Sequence, residues 1–157
     1  MTQQQKKGFT IIEVVLVLAI AGLIFLMVFI ALPALQRSQR DQSRKNDVST
    51  VAAAVNSYRS SNRSSLSGMT SDKLQAYIDR LDQYEVTNVS AGSNRTVSVT
   101  NDTVQVVTGA KCPSTAFDPS NDSSVLVQLD SGAARAAAVV TLLENNGSKK
   151  VVYCQDA

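Results

Sequence analysis

Nineteen consecutive residues, Val14 to Leu32, carry neither charge nor proline, and nothing else in this 157-residue chain constrains its fold as strongly. As a helix they would extend roughly 29 Å, about the thickness of a bilayer's hydrocarbon core. Ahead of them stand Lys6, Lys7 and a single carboxylate, Glu13. An acid at the start of such a run is unfavourable by a few kcal/mol, so it needs a partner or a task. A secretory leader has a shorter apolar core, about 7–15 residues, and ends at a small-x-small cleavage site. Here the run passes into Pro33-Ala34-Leu35-Gln36-Arg37 without such a site, which predicts a retained segment.

The residues beyond that segment suffice for one small domain with one core. A net charge of +2 and 5% aromatic residues give no basic, base-stacking surface, so no direct nucleic-acid partner is expected. The chain has no histidine, no phosphate-cradling glycine pattern and no serine in a nucleophile-elbow context. No catalytic residue, cofactor or metal is therefore assigned, and the chain does not read as an enzyme. Asp118 and Asp122 could offer oxygens to a calcium ion, but their spacing matches no calcium loop and a polar turn accounts for them. Cys112 and Cys154, an even count behind an export-type N-terminus, read as one disulfide in an oxidising compartment, with two unrelated reduced thiols as the alternative. Bridged, they would close a loop worth about 4 kcal/mol in the chain-entropy treatment.

Residues 36–47 are polar all round and contain neither glycine nor proline, so the helix is expected to continue through them. Val48, Val51, Val55 and Tyr58, with Ala52 on the same face, then form an amphipathic stripe suited to cover a sheet. Ser60 to Gly68 reads as a loop. Ser71, as N-cap with Asp72 in the first turn, starts a second helix that presents Leu74, Tyr77, Ile78 and Leu81 and ends near Asp82. From Tyr84 the period becomes two. Tyr84-Glu85-Val86 starts a strand, Ala91 to Asn94 is a turn, and Val97–Val99 with Val104–Val106 suggests a hairpin around Asn101-Asp102. Gly109 to Ser124 reads as loop, Val125 to Leu129 as strand, and Asp130-Ser131-Gly132 as a turn. The alanines of Ala133 to Leu143 favour helix while Val139-Val140-Thr141 favours strand. The Asn145-Asn146-Gly147-Ser148 turn and apolar Val151 to Cys154 tip the choice to a terminal hairpin. The fold class expected is α+β: a long N-terminal helix, half membrane segment and half amphipathic, packed on a small antiparallel sheet.

Gly8-Phe9-Thr10-Ile11-Ile12-Glu13 resembles the processing site of type IV pilins and pseudopilins, whose form is Gly-Phe-Thr-Leu-Ile-Glu ahead of an apolar helix. The resemblance implies cleavage between Gly8 and Phe9 by a prepilin peptidase and N-methylation of Phe9. It also implies that Glu13 offsets the positive N-terminus of a neighbouring subunit during assembly. Gly22 falls where the family commonly has a glycine, and Pro33 lies a few residues beyond the usual proline; in the family such a pair loosens the helix within the filament. The corresponding organisation is a leader over 1–8, a long helix over 9–60 with its transmembrane half at 9–35, and a globular head over 61–157. The implied partners are the peptidase, other pilin subunits in a homopolymer, the pilus assembly machinery and inner-membrane lipid. The precursor would sit in the cytoplasmic membrane with its N-terminus inside, and the assembled subunit at the cell surface. A minor pilin, or a pseudopilin of a type II secretion or DNA-uptake system, is the alternative. Arg37, Arg40, Arg44 and Lys45 beyond the apolar run count towards a cytoplasmic head; the leader motif and the cysteines place it outside, and that topology is taken here.

Overall fold

A computed structural model describes residues 8–63, 65–78, 84–88, 96–100, 102–114, 124–144 and 150–157. In chain order they form α1 (Ile11–Ser61), α2 (Ser71–Gln75), β1 (Tyr84–Asn88), β2 (Thr96–Thr100), β3 (Val104–Thr108), β4 (Ala110–Lys111), β5 (Ser124–Gln128), β6 (Asp130–Ser131), β7 (Ala137–Leu143) and β8 (Val151–Asp156). This is the α+β layout expected, a long helix followed by small sheets. The chain divides into two compact units, Met1–Gln36 and Arg37–Ala157.

The first unit is the apolar part of α1. Large side chains point outwards all round it, with Ile11 85%, Leu23 71% and Phe29 77% exposed. That pattern suits a helix surrounded by lipid or by other apolar helices, since in water it would leave a large area of hydrocarbon uncovered. Pro33 lies inside α1, which continues through it. Its nitrogen has no hydrogen to donate to the carbonyl one turn earlier, so the helix is weakened there without being broken.

The second unit is built in three layers. A four-stranded sheet of order β1-β3-β7-β8 lies in the middle. One of its faces packs on α1 through Val48, Val51, Ala52, Val55 and Tyr58, the stripe expected from the spacing, joined by Ala54, Leu66, Met69, Leu74 and Ile78. Val104, Val106, Ala137 and Val139 supply the sheet side of that core. The other face carries Val107, Ala138, Val140, Leu142 and Val152, covered by Val97, Val99 and Val127 of a two-stranded β2–β5 ribbon. All five residues of β3 and all seven of β7 are buried. A strand covered on both faces needs apolar residues at consecutive positions, which is why alanine-rich β7 shows no clean alternation. The terminal hairpin forms as expected, with Val140 opposite Cys154 and Leu143 opposite Val151.

Several details differ from the expectation. The runs either side of Asn101-Asp102 do not pair with each other: β2 runs antiparallel to β5, with Val97 opposite Val127, and β3 lies between β1 and β7. Asn101-Asp102-Thr103 offers no glycine for a tight hairpin turn. The two strands also have different burial needs: β2 alternates, as a half-exposed ribbon does, whereas β3 is buried throughout. The chain therefore changes layers between them. One pairing, β1 with β3, is parallel. The segments read as loop and turn near Gly109 and Asp130 contain a two-residue ladder, β4 with β6. Helix α2 is capped one residue earlier than read, by Thr70, whose hydroxyl accepts from the Lys73 amide, and it ends at Gln75. Leu81, Asp82, Asp118, Asp122 and the turns at 91–94 and 145–148 lie outside the described residues.

Cys112 and Cys154 are joined in a disulfide with their Cα atoms 5.8 Å apart. The bridge fastens the segment after β4 to the last strand at the margin of the β2–β5 core. Two carboxylates hold the same segment: Asp156 Oδ1 accepts from the Cys112 amide at 2.7 Å, and Asp130 Oδ2 from the Ser114 amide at 3.2 Å.

Candidate assembly site

Gly8, Phe9 and Thr10 lie outside helix and are exposed; α1 begins at Ile11. What starts it is a reciprocal pair of hydrogen bonds. Glu13 N–H donates to Thr10 Oγ1 at 3.4 Å, and Thr10 N–H donates to Glu13 Oε2 at 3.3 Å. The Thr10 hydroxyl also donates to the same carboxylate oxygen at 3.2 Å. With Thr10 as N-cap and Glu13 three residues on, this is a capping box, in which the Glu13 amide is shared with the Thr10 carbonyl at 3.1 Å and the Thr10 amide is held by the carboxylate. A carboxylate in the first turn also meets the positive end of the helix dipole.

Glu13 therefore has a local role in the single chain, and the acid at the edge of the apolar run is partly explained by its own helix. Thr10 is the residue that sequence reasoning passed over, although the Thr-x-x-Glu spacing announces it. Phe9, Glu13, Val14, Val17 and Leu18 line one shallow groove along this end of the helix. Phe9 immediately before the cap and Val14 four positions after it occupy the places of a hydrophobic staple. Of the residues singled out in the first unit, the structure thus brings Phe9 and Glu13 together. Gly22 and Pro33 are separate from them along α1, and a Cβ added at Gly22 would meet nothing within 4 Å. Nothing in the chain's own packing calls for glycine there.

The basic flank is organised by the second unit. Arg40 Nη2 donates to Glu144 Oε2 at 2.9 Å, and Arg44 Nη2 to Glu144 Oε1 at 3.3 Å. Arg44 Nη1 also donates to the Leu142 carbonyl at 3.2 Å, while Asp41 Oδ1 accepts from the Glu144 amide at 2.7 Å. Burial raises the Glu144 carboxyl, but the hydrogen bonds and charges of Arg40 and Arg44 outweigh it and leave the pKa below the ordinary value. For Asp47, burial prevails over the neighbouring Arg44 and the pKa is raised. Arg40 and Arg44 thus clasp the end of β7. With Lys45, whose ammonium lies 5.8 Å from the centre of the Tyr153 ring, three of the four cations that count against an outward head serve the packing of α1 on its sheet. No local pattern announces this cluster, because its partners lie about a hundred residues apart in sequence.

Residues 3–29 match the family described as the prokaryotic N-terminal methylation motif. No curated protein and no solved structure matches the chain. An apolar helix that is exposed all round and this motif together support a membrane-anchored precursor. The chain carries the leader signature of type IV pilin and pseudopilin precursors.

Proposed function

We propose that the protein is a structural subunit of a type IV pilus, stored in the cytoplasmic membrane as a precursor and polymerised through its N-terminal helix. A prepilin peptidase cuts between Gly8 and Phe9, removing leader 1–8, and the new Phe9 amine is methylated and keeps its charge. The transmembrane part, over 9–35 and helical from Ile11, passes from lipid into a bundle of equivalent helices, with the head over 61–157 at the surface. In that bundle Glu13 faces the ammonium of a neighbouring Phe9. Opposite charges about 4 Å apart gain roughly 4 kcal/mol at an effective dielectric of 20, enough to offset much of the cost of burying them. Gly22 and Pro33 let the helix loosen on assembly, the first by freedom of its backbone and the second by its missing hydrogen bond. The subunit acts by assembly, without turnover.

One observation carries this reading: the methylation motif is continuous with a helix whose apolar side chains are exposed on every side. The test separates the charge of Glu13 from its place in the cap. Glutamine can close a capping box but cannot pair with an ammonium, so Glu13→Gln keeps the helix start and removes the charge. Glu13→Gln precursor is expected to be cleaved normally and to yield few or no filaments by electron microscopy of sheared surface material. Filaments in wild-type amount from that variant would contradict the assembly role.

A further inference from the structure

We infer that the Thr10–Glu13 capping box fixes where α1 begins and thereby presents the Gly8–Phe9 peptide bond to the peptidase in non-helical form. Thr10 is then a positioning residue for cleavage, an inference that rests on the prepilin reading of the same segment. A peptide bond inside a helix has its carbonyl and amide engaged with neighbouring turns, and a protease must first unwind it. Here Gly8 and Phe9 lie just outside the helix, exposed, and a Cβ at Gly8 would meet nothing within 4 Å. The boundary is set by side chains. Both reciprocal bonds of the box close within Thr10 to Glu13, and the first intrahelical carbonyl, Thr10 O, accepts from Glu13 N–H at 3.1 Å and from Val14 N–H at 3.3 Å.

An alternative start lies two residues upstream. Gly8 is an acceptable N-cap, ranking close behind threonine and well ahead of alanine. If Thr10 could not cap, a helix beginning at Phe9 with Gly8 as its cap would place the scissile bond at the junction of cap and first helical residue. In the native chain the box holds the start at Ile11 and opposes this shift. Replacing a capping threonine by alanine changes the balance between two such starts by about five-fold, and the share of precursor with an extended site falls by up to that factor. Cleavage limited by access to the extended form slows in proportion.

The experiment uses the full-length precursor reconstituted in phospholipid vesicles with a prepilin-type peptidase, the products followed by intact mass. Thr10→Ala is expected to be cleaved severalfold more slowly, up to about five-fold. Thr10→Ser and Glu13→Gln, which both keep the box, should be cleaved at the wild-type rate. A second readout is taken without peptidase: in detergent micelles, the carbonyl carbon shifts of Gly8 and Phe9 should move towards helical values in Thr10→Ala and not in Thr10→Ser. Wild-type cleavage of Thr10→Ala overturns the inference, as does slow cleavage of Thr10→Ser. Slow cleavage of Thr10→Ala with unchanged Gly8 and Phe9 shifts also overturns it, because the peptidase would then be reading the threonine itself. A wild-type precursor left uncut at Gly8–Phe9 is a different result, and it refutes the prepilin reading beneath the inference.

Discussion

Substituting Glu144 by glutamine tests how the second unit holds α1. The change keeps the shape and volume of the side chain, leaves the Asp41 bond to the residue's backbone amide in place, and removes the charge facing Arg40 and Arg44. The Arg40 side chain is 54% exposed and that of Glu144 27%, so their pair is screened and is worth at most about 1 kcal/mol. Arg44 is 17% exposed and keeps the Leu142 carbonyl in the variant, so a further loss of about 1 kcal/mol is expected from its side. A total of 1–2 kcal/mol would lower the midpoint of thermal unfolding by roughly 4–10 °C for a unit of this size. Acid should erase the difference. The folded pKa of Glu144 lies below its ordinary value of 4.5, so its stabilisation is full above that value and is lost as pH falls through the depressed folded pKa. Asp47 has the opposite sign: its raised pKa means that ionisation is unfavourable in the fold, and protonation in acid relieves it. Asp47 is present in both proteins, so the difference between them isolates Glu144. The measurement is circular dichroism melting of full-length wild type and Glu144→Gln in detergent, from neutral pH to below the folded pKa of Glu144. Equal midpoints at neutral pH, or a deficit that persists in acid, would refute the clasp.

Other perturbations follow from the same packing. Gly132→Ala places a Cβ 2.8 Å from the backbone of Ala110 and 2.9 Å from Ala136 Cβ, which neither can easily yield, so a loss of about 1–3 kcal/mol is expected in urea unfolding. Val55→Ala, at a position with no solvent exposure between helix and sheet, should cost about 2 kcal/mol, while Ser43→Ala on the exposed side should cost little. Reduction of the Cys112–Cys154 disulfide, or paired substitution by serine, should cost about 4 kcal/mol, read as a lower urea midpoint and faster proteolysis of the segment around Cys112.

Much of this architecture is legible from spacing. Val48, Val51, Ala52, Val55 and Tyr58 announce a buried helix face, and that face is buried. The apolar run announces a helix with no polar side, and none is found from Val14 to Leu32. Legibility fails where a residue's surroundings are set by distant chain. Alternation in Val97–Val99 and Val104–Val106 looks the same in both strands, yet one forms a ribbon with a wet face and the other lies between two cores. Nothing local in Val104-Gln105-Val106 shows that a second layer will cover it. The Arg40–Arg44–Glu144 cluster is hidden for the same reason, and a charge count takes its cations for topology signals. The Thr10–Glu13 box is the reverse case. Its Thr-x-x-Glu spacing is local and legible, and both partners lie within one turn of each other.

The mass of the mature protein decides whether the chain is a prepilin-type precursor. Full-length protein expressed in a cell with a prepilin peptidase, extracted from the membrane and measured intact under non-reducing conditions, should lack residues 1–8. It should begin at Phe9, carry one added methyl group at its N-terminus, and be lighter by two hydrogens for the Cys112–Cys154 bond. A mature chain that retains its leader, or one cut elsewhere than between Gly8 and Phe9, would contradict the account.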